Sequence, residues 1–537
     1  MLKKDKQKEN MTQQNLSSAG VTNQARSNLA GIYFYDDFML DRALQVERIY
    51  FKPQRLGEYY HDPDFSITYP NVNWCPEIGK YRAWYEIIYN QNTEEKGDYF
   101  VMALAESDDA IHWKPADDCG SADPMAAEYP RIIYSGLGEV HGTYVFRDER
   151  ETDPARRYKC AGGSLSKRNQ IHADCIVAVS PDGVHWDECG HAMLWGKSMS
   201  DANNCMFYNK VRGVYQIIHR AAMTDRRIHS TTSPDLVNWS EPELIIHPDS
   251  FDPPCSELYG MTVYPAQGIF IGVLFVFHSD MYDRIRGYQT MELVYSYDGS
   301  HWNRTHQTLF DQQEFPSPEA GNIYVTGMSL NKDASQLLLT CRLDTGDHSF
   351  PDWSSDKVNR TCMGMYGIRP DGFVGLRSVG AAFLETKAIR IMEPGLFLNV
   401  NACRGKVEVQ LTDWDEAPIP GYTFEENVPC YENEIAYCVQ WEAKDMSDLV
   451  GRIVRIQIRM NTAILYAIHG NFTPHHASVA QVSIGNPKPL FDGLTKYPDK
   501  KWWRNPRTPE PDDFNSSVRN PSFDFRNWGT GIERYDT

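Results

Sequence analysis

Short apolar runs broken by polar turns recur along most of this chain. Tyr99–Ala105, Cys175–Val179 and Met291–Tyr295 are rich in β-branched and aromatic residues and have the length of strands. Runs of this kind precede four versions of one heptad: Ser107–Trp113 (SDDAIHW), Ser180–Trp186 (SPDGVHW), Ser233–Trp239 (SPDLVNW) and Ser296–Trp302 (SYDGSHW). The intervals of 73, 53 and 63 residues are those of a supersecondary repeat. Ser and Asp in each heptad bond back to nearby backbone, and Gly183 or Gly299 supplies a positive φ, so the heptad reads as a tight turn. The tryptophan then opens the next strand with a large apolar face. Strand, polar turn and Trp-led strand together predict the outer hairpin of a propeller blade. A fifth copy, Arg369–Gly375 (RPDGFVG), keeps the turn and loses the tryptophan. The pattern predicts an all-β chain with a five-bladed β-propeller.

The same pattern sets the boundaries. Residues 1–30 are polar and expected to be disordered, and the propeller spans 31–384. Its first innermost strand is expected to include Lys80–Tyr85 (KYRAWY). Beyond residue 385 the heptads stop, and Lys406–Leu411 and Arg452–Met460 alternate apolar with polar, which predicts a β-sandwich over 385–490. The tail 491–537 carries Trp502, Trp503, Phe514, Phe523, Phe525 and Trp528. That aromatic load is expected to pack on the body or on a neighbouring subunit of a homo-oligomer.

Composition narrows the partners. With 53 basic and 72 acidic residues the chain carries −19, the wrong sign for neutralising nucleic-acid phosphates. No apolar run of about 18 residues suggests a membrane span. The basic, polar start has no apolar segment behind it, and the expectation is a cytoplasmic protein. Twelve cysteines without a C-x-x-C pair read as reduced, mostly buried thiols. No metal or other cofactor is expected.

In a propeller the innermost strands line a central channel, so polar residues just ahead of them are site candidates. Asp201 lies 12 residues before Gly213, and Glu257 lies 11 before Gly268, at matching places in adjacent blades. Two carboxyls facing one another supply what glycoside cleavage needs: a proton donor to the leaving oxygen and a negative charge beside the oxocarbenium-like centre. Around them Asn203, Asn204, Tyr259, Glu139, His141, Glu319 and Asn322 resemble a sugar pocket, with amides and carboxylates for paired hydroxyls and an aromatic face for the ring. The loop after inner strand five (RLDTGDHSFPDW) adds Arg342, Asp347 and His348. The heptad aspartates, Asp109 and Asp182 among them, read as turn caps.

These residues resemble the five-bladed β-propeller glycoside hydrolases of families 32, 68, 43 and 130, over about residues 35–380. The resemblance implies that Glu257 is the acid of blade four, although SELY differs from the family 32 Glu-Cys pair. It makes Asp201 the aspartate of blade three. For blade one it implies a nucleophile or base. The family 32 motif Asn-Asp-Pro-Asn is missing, Ile67–Asn71 (ITYPN) has no carboxylate, and the nearest candidates are Asp62 and Asp64. His61–Asp62–Pro63 is similar to the Asp-Pro pair of family 43. Arg147–Asp148 is similar to the Arg-Asp-Pro triplet of family 32 but reads as a hairpin feature. The expected activity is a glycosidase acting on the terminal sugar of an oligosaccharide, such as a furanoside. Alternatives are a family 130-like phosphorylase, with Arg147, Arg157 and Arg220 for phosphate, and a non-catalytic carbohydrate-binding propeller.

Overall fold

The computed structural model describes residues 29–475 apart from 94–95, 136–139, 165–173, 194–202, 221–225, 280–286, 312, 314–316, 347, 349–360 and 414–415. The N-terminal segment through Asn28 and the aromatic tail 491–537 lie outside the described residues.

Five antiparallel blades follow one another. Blade 1 is Ile67–Cys75, Lys80–Thr93, Lys96–Ser107 and Lys114–Pro115, with Ile132–Tyr134 added against the third strand. Blade 2 is Val140–Arg147, Tyr158–Ser164, Asp174–Ser180 and Asp187–Met193, and blade 3 is Cys205–Asn209, Val214–His219, Ile228–Ser233 and Glu243–Ile246. Blade 4 is Ser256–Pro265, Phe270–Ser279, Gly287–Ser296 and Asn303–Thr308. Blade 5 is Asn322–Leu330, Leu337–Asp344 and Thr361–Ile368, and its outer strand is Gln54–Arg55 from the start of the chain. That exchange closes the ring, and each first strand packs against the first strand of the next blade.

The innermost strand of blade 1 is therefore Ile67–Cys75, and Lys80–Tyr85 belongs to the second. The sequence ITYPN hid it, because a proline rarely sits inside a strand. Here the register slips between Thr68 and Asn71, and Pro70 falls in the bulge.

Each of the four Trp heptads joins the third strand of a blade to the fourth. The aspartate Oδ1 accepts from two backbone N–H groups: Asp109 from those of Ile111 and His112, and Asp298 from those of Ser300 and His301. The residue after the aspartate is left-handed in every copy: Ala110 (φ 64°), Gly183 (75°), Leu236 (72°) and Gly299 (78°). In the fifth copy the left-handed residue is Asp371 itself (φ 57°), and its carboxylate meets His469 Nε2 at 3.1 Å. The strand that follows, Val374–Arg377, leaves the propeller and pairs with Glu47–Tyr50 and with Ile464–Pro474. The copy lacks the tryptophan, and Gln54–Arg55 takes the fourth place in blade 5.

The remaining strands form a β-sandwich from both sides of the propeller. Ala30–Tyr33, Leu40–Leu44 and Glu47–Tyr50 join Ala381–Thr386, Ile389–Asn401, Lys406–Thr412, Asn433–Cys438, Ile453–Asn461 and Ile464–Pro474. Its two sheets meet where Ile389–Arg390 pairs with Ile453–Val454, and they enclose one core that includes Ile32, Leu398, Val409, Ile458 and Leu465. Tyr33, Tyr35, Phe373 and Ala467 pack with blades 4 and 5, so the sandwich is seated on the propeller. Among the described residues no helix is long and apolar enough to cross a membrane.

Candidate functional site at the channel end

Four of the five inner strands carry a bulge: between Thr68 and Asn71, His141 and Tyr144, Leu258 and Gly260, and Val325 and Gly327. The residues pushed out of the ladder include Tyr69, Gly142, Tyr259 and Thr326. Tyr69 is buried and left-handed (φ 43°), a conformation that a bulky residue holds only when its surroundings impose it.

Cross-blade bonds knit this end of the channel. The Gly142 N–H and His141 Nδ1 of blade 2 meet the buried Glu86 carboxylate of blade 1 at 2.8 and 2.6 Å. Asn204, ahead of blade 3, donates to the carbonyls of His141 and Gly142 at 3.2 and 3.1 Å. Asn203 Nδ2 donates to Thr262 Oγ1 of blade 4 at 2.6 Å. Asn322 of blade 5 accepts from the Gln289 N–H at 2.9 Å and donates to the Gly346 carbonyl at 2.9 Å.

Tyr259 is the hub of the other side. Its hydroxyl meets His348 Nε2 at 3.1 Å. The Arg220 guanidinium lies 4.3 Å from its ring centroid and that of Arg226 lies 5.5 Å away. Arg226 is also ion-paired with the buried Glu257. The Tyr324 ring is 6.1 Å from that of Tyr259 and carries Arg342 at 4.9 Å. Arg342 donates to Thr68 Oγ1 at 3.2 Å and pairs with Asp344 at 3.3 Å. Burial, foremost, pushes the Tyr69 hydroxyl well above its usual range. Tyr259 and Glu86 act in the same direction, and Arg342 and Arg220 act against it. One hydroxyl thus feels charges from blades 1, 3, 4 and 5. Burial and then Arg226 hold the Arg220 guanidinium below its ordinary value, against the pull of Tyr259 and Tyr69.

Several buried polar atoms here have no hydrogen-bond partner among the described residues: Thr143 Oγ1, Asn203 Oδ1, Ser256 Oγ, Arg342 Nε and both amide atoms of Gln289. Buried polar groups are almost always satisfied, so each of these atoms is open to water, a polar ligand or a residue outside the described ones.

The expected residues divide three ways. Glu257, Tyr259, Asn203, Asn204, His141, Asn322, Arg342 and His348 gather at this end. Asp201, Glu139 and Asp347 lie outside the described residues. Asp62, Asp64 and Glu319 are committed elsewhere. Asp62 takes a bidentate ion pair from Arg131 (2.8 and 2.9 Å), the Tyr85 hydroxyl (2.6 Å) and the N–H groups of Asp64 and Phe65. Asp64 also pairs with Arg131, and Glu319 accepts from Tyr59 and Tyr366 of blade 5 at 2.7 Å each. Of the expected phosphate ligands only Arg220 is at the channel; Arg147 pairs with Glu77 and Glu149, and Arg157 donates to the Asp148 carbonyl. Members of the cluster that escaped the sequence reading include Glu86, Tyr69, Arg226 and Tyr324. Glu86 carried a signal, as a lone charge inside the apolar run AWYEIIY.

No protein-family model and no curated protein matches the chain. Among solved structures it is similar to an N-acetylgalactosamine deacetylase from F. plautii, at 14% identity and a TM-score of 0.40, over 60% of this chain and 96% of that one. It is similar also to a thermostable family-43 glycoside hydrolase (12%, TM-score 0.39, 58% and 92%). A third is the α-L-arabinanase of Penicillium chrysogenum in complex with arabinobiose (12%, TM-score 0.37, 58% and 97%). Likenesses at this identity and TM-score carry no inference about activity; what this chain's own residues establish is a five-bladed β-propeller with polar and aromatic side chains gathered where its inner strands begin.

Proposed function

We propose that this chain is a glycosidase that removes a terminal sugar at the channel end, with Glu257 as proton donor. The observation that supports it most is the meeting of Glu257, Arg226, Tyr259, Tyr324 and Arg342, with Arg342 Nε unpartnered among the described residues. A hydroxyl-rich ring needs many convergent donors and acceptors and an apolar face to lie on. Glu257 is a buried carboxyl at the head of the blade-4 strand, within the same cluster. As proton donor Glu257 must be protonated, which requires Arg226 to release it when the sugar binds; its proton then passes to the leaving oxygen as the C–O bond breaks, and water adds to the sugar carbon while losing its proton to a second carboxylate. Glu86, which meets His141 and the Gly142 N–H at the channel end, is our candidate for that second carboxylate, in place of Asp62 and Asp64, which Arg131 holds. Asp201, two residues ahead of Asn203, is the proposed charge beside the developing cation.

Glu257→Gln keeps the shape and removes the proton. Turnover of unactivated glycosides should fall about 10²–10⁴-fold. Aryl glycosides with a good leaving group need less protonation and should lose much less. Equal losses on both classes would make Glu257 a binding residue. A panel of aryl glycosides and oligosaccharides, fructans and arabinans included, with no turnover but saturable binding would identify a non-catalytic module.

A further inference from the structure

Glu86 stands on the second strand of blade 1, one strand behind the channel, and its side chain is 1% exposed. Its Oε1 meets His141 Nδ1 at 2.6 Å, and its Oε2 accepts the Gly142 N–H at 2.8 Å. His141 stands on the inner strand of blade 2, where the bulge of that strand begins, and its side chain is 15% exposed. The access that Glu86 lacks, His141 has. The contact between them also fixes the ring. A carboxylate accepts and does not donate, so the shared proton sits on Nδ1 and the lone pair of the neutral imidazole is left on Nε2. Among the described residues Nε2 has no hydrogen bond. Two aromatic rings clamp the imidazole. Tyr69 meets it edge-on with centroids 5.3 Å apart and planes at 87°, and Phe100 lies 4.5 Å away at 49°. Tyr69 is the residue held left-handed at φ 43°, so backbone strain is accepted directly beside this ring. Asn204 anchors the main chain through the carbonyls of His141 and Gly142. A base with one nitrogen oriented by a third group and the other nitrogen open is the arrangement that activates a hydroxyl or a water.

We infer that His141 is the catalytic base of this site, taking the proton of the attacking water on Nε2 while Glu86 holds Nδ1 and stays a carboxylate. The inference rests on the glycosidase reading and goes beyond it. Glu86 acts through the ring, as a positioning residue, and balances the imidazolium that forms. The water oxygen bonds to the sugar carbon, the bond to the leaving oxygen breaks, and that oxygen takes the Glu257 proton. One cycle leaves His141 protonated and Glu257 ionised, and proton exchange with solvent restores both. A base that works on water attacks no carbon itself, so the step is a single displacement and the sugar leaves with inverted anomeric configuration.

The test uses the full chain, the aryl glycoside of the panel that it turns over fastest, and an unactivated glycoside of the same sugar. Proton NMR of the wild-type reaction, read before mutarotation, should show the inverted anomer first. A retained anomer overturns the inference, because in a double displacement the acid itself activates the water. His141→Ala should lower kcat about 10²–10⁴-fold with KM little changed. The loss should be similar on both substrates, since the need for a base does not depend on the leaving group. Azide attacks without losing a proton, so in this variant it should raise turnover of the aryl glycoside about tenfold or more and yield the glycosyl azide of inverted configuration. Wild type should gain nothing from azide. Glu86→Gln keeps an acceptor for Nδ1 but not the charge; it should lose roughly 10–100-fold in kcat and respond to azide in the same way. Thermal unfolding shows which variants are folded, and where His141→Ala is not, Glu86→Gln and the wild-type anomer carry the decision. A folded His141→Ala protein at the wild-type rate, or one impaired and unmoved by azide, overturns the inference and leaves the glycosidase reading standing. If no glycoside of the panel is hydrolysed, the glycosidase reading falls, and the inference with it.

Discussion

Asp62 is the residue on which the sequence and the structure pull hardest in different directions, and one substitution separates them. Its side chain is fully buried and that of Arg131 is 4% exposed. Between them run two parallel N–H···O bonds, and the Tyr85 hydroxyl and two backbone N–H groups complete the carboxylate. Asp62→Asn keeps the volume but leaves the buried guanidinium facing only Asp64 and Asp117, both about half exposed, Asp117 at 3.5 Å. Breaking one side of a buried pair costs about 3–5 kcal/mol, mostly through the charge left behind. In domains of 150–250 residues each kcal/mol is worth roughly 2–4 °C in Tm, and somewhat less in a larger one. Thermal and urea unfolding should therefore show a loss of several degrees. Turnover per folded molecule, on whichever glycoside the panel identifies, should change by no more than about twofold. The double variant Asp62→Leu with Arg131→Met removes both charges and should recover part of the loss. Full recovery is not expected, because the Tyr85 hydroxyl and two N–H groups then lose their acceptor, at about 1–3 kcal/mol each if buried. Asp64→Asn, at a half-exposed position, should cost less than about 1 kcal/mol. An Asp62→Asn protein with unchanged Tm and turnover reduced a thousandfold would refute this reasoning and return Asp62 to the reaction.

Three further outcomes follow from the turns and from a buried histidine. Ala110 holds the left-handed position that glycine holds in two sister heptads, so Ala110→Gly should stabilise by about 1 kcal/mol, read as a higher urea midpoint at constant slope. Gly183→Ala should do the reverse by roughly 1–3 kcal/mol, because the added Cβ would stand 2.6 Å from Trp84 Cζ2. His219 is buried with neither ring nitrogen hydrogen-bonded among the described residues; burial and then His229 push it down to about 3. A lowered histidine disfavours the protonated native state, so its contribution is complete above about 6.5 and is lost as pH falls from there toward about 3. His219→Phe should flatten that acid limb in unfolding measured from pH 7 to 4; an unchanged limb would show that other groups carry it.

What was legible in the sequence was whatever the chain encodes locally. The heptads specify a turn through bonds between residues two or three apart, so the four outer hairpins could be read directly, and their number with them. What depends on distant pairing was hidden. Gln54–Arg55 enters blade 5 and residues 30–50 enter the sandwich because partners hundreds of residues away leave edges open for them, and no local pattern records that. The site followed the same rule. Glu257, Tyr259, Asn203, Asn204 and His141 could be placed at the channel end because position relative to an inner strand is a local property. Asp62 looked like a blade-one carboxylate because it precedes an inner strand, yet Arg131, 69 residues on, claims it. Glu86 was missed because it stands on a second strand and reaches the channel only by crossing to His141.

The bulges explain how strands that must pack between blades can also present a site. In the inner strand of blade 3, which has no bulge, alternation is strict: Cys205 and Phe207 join the core shared with blade 4, and Met206 joins the core shared with blade 2. In blade 4 the parity breaks. Leu258, Met261 and Val263 all enter one core, which a regular strand forbids, since 258 and 261 would face opposite ways. The extra residue between Leu258 and Gly260 restores them to one side and puts Tyr259 in the cluster of blades 4 and 5. Blade 1 repeats the device: Ile67 and Val72 share a core across an odd interval, with Tyr69 and Pro70 in the bulge between them. Each bulge therefore separates a deep segment, phased for packing, from a mouth segment whose phase is set independently. Removing one would not simply delete a side chain. It would turn Glu257 or Thr68 to the opposite face of its blade, and the carboxylate, the tyrosines and the arginines that meet at the channel end would no longer share a surface.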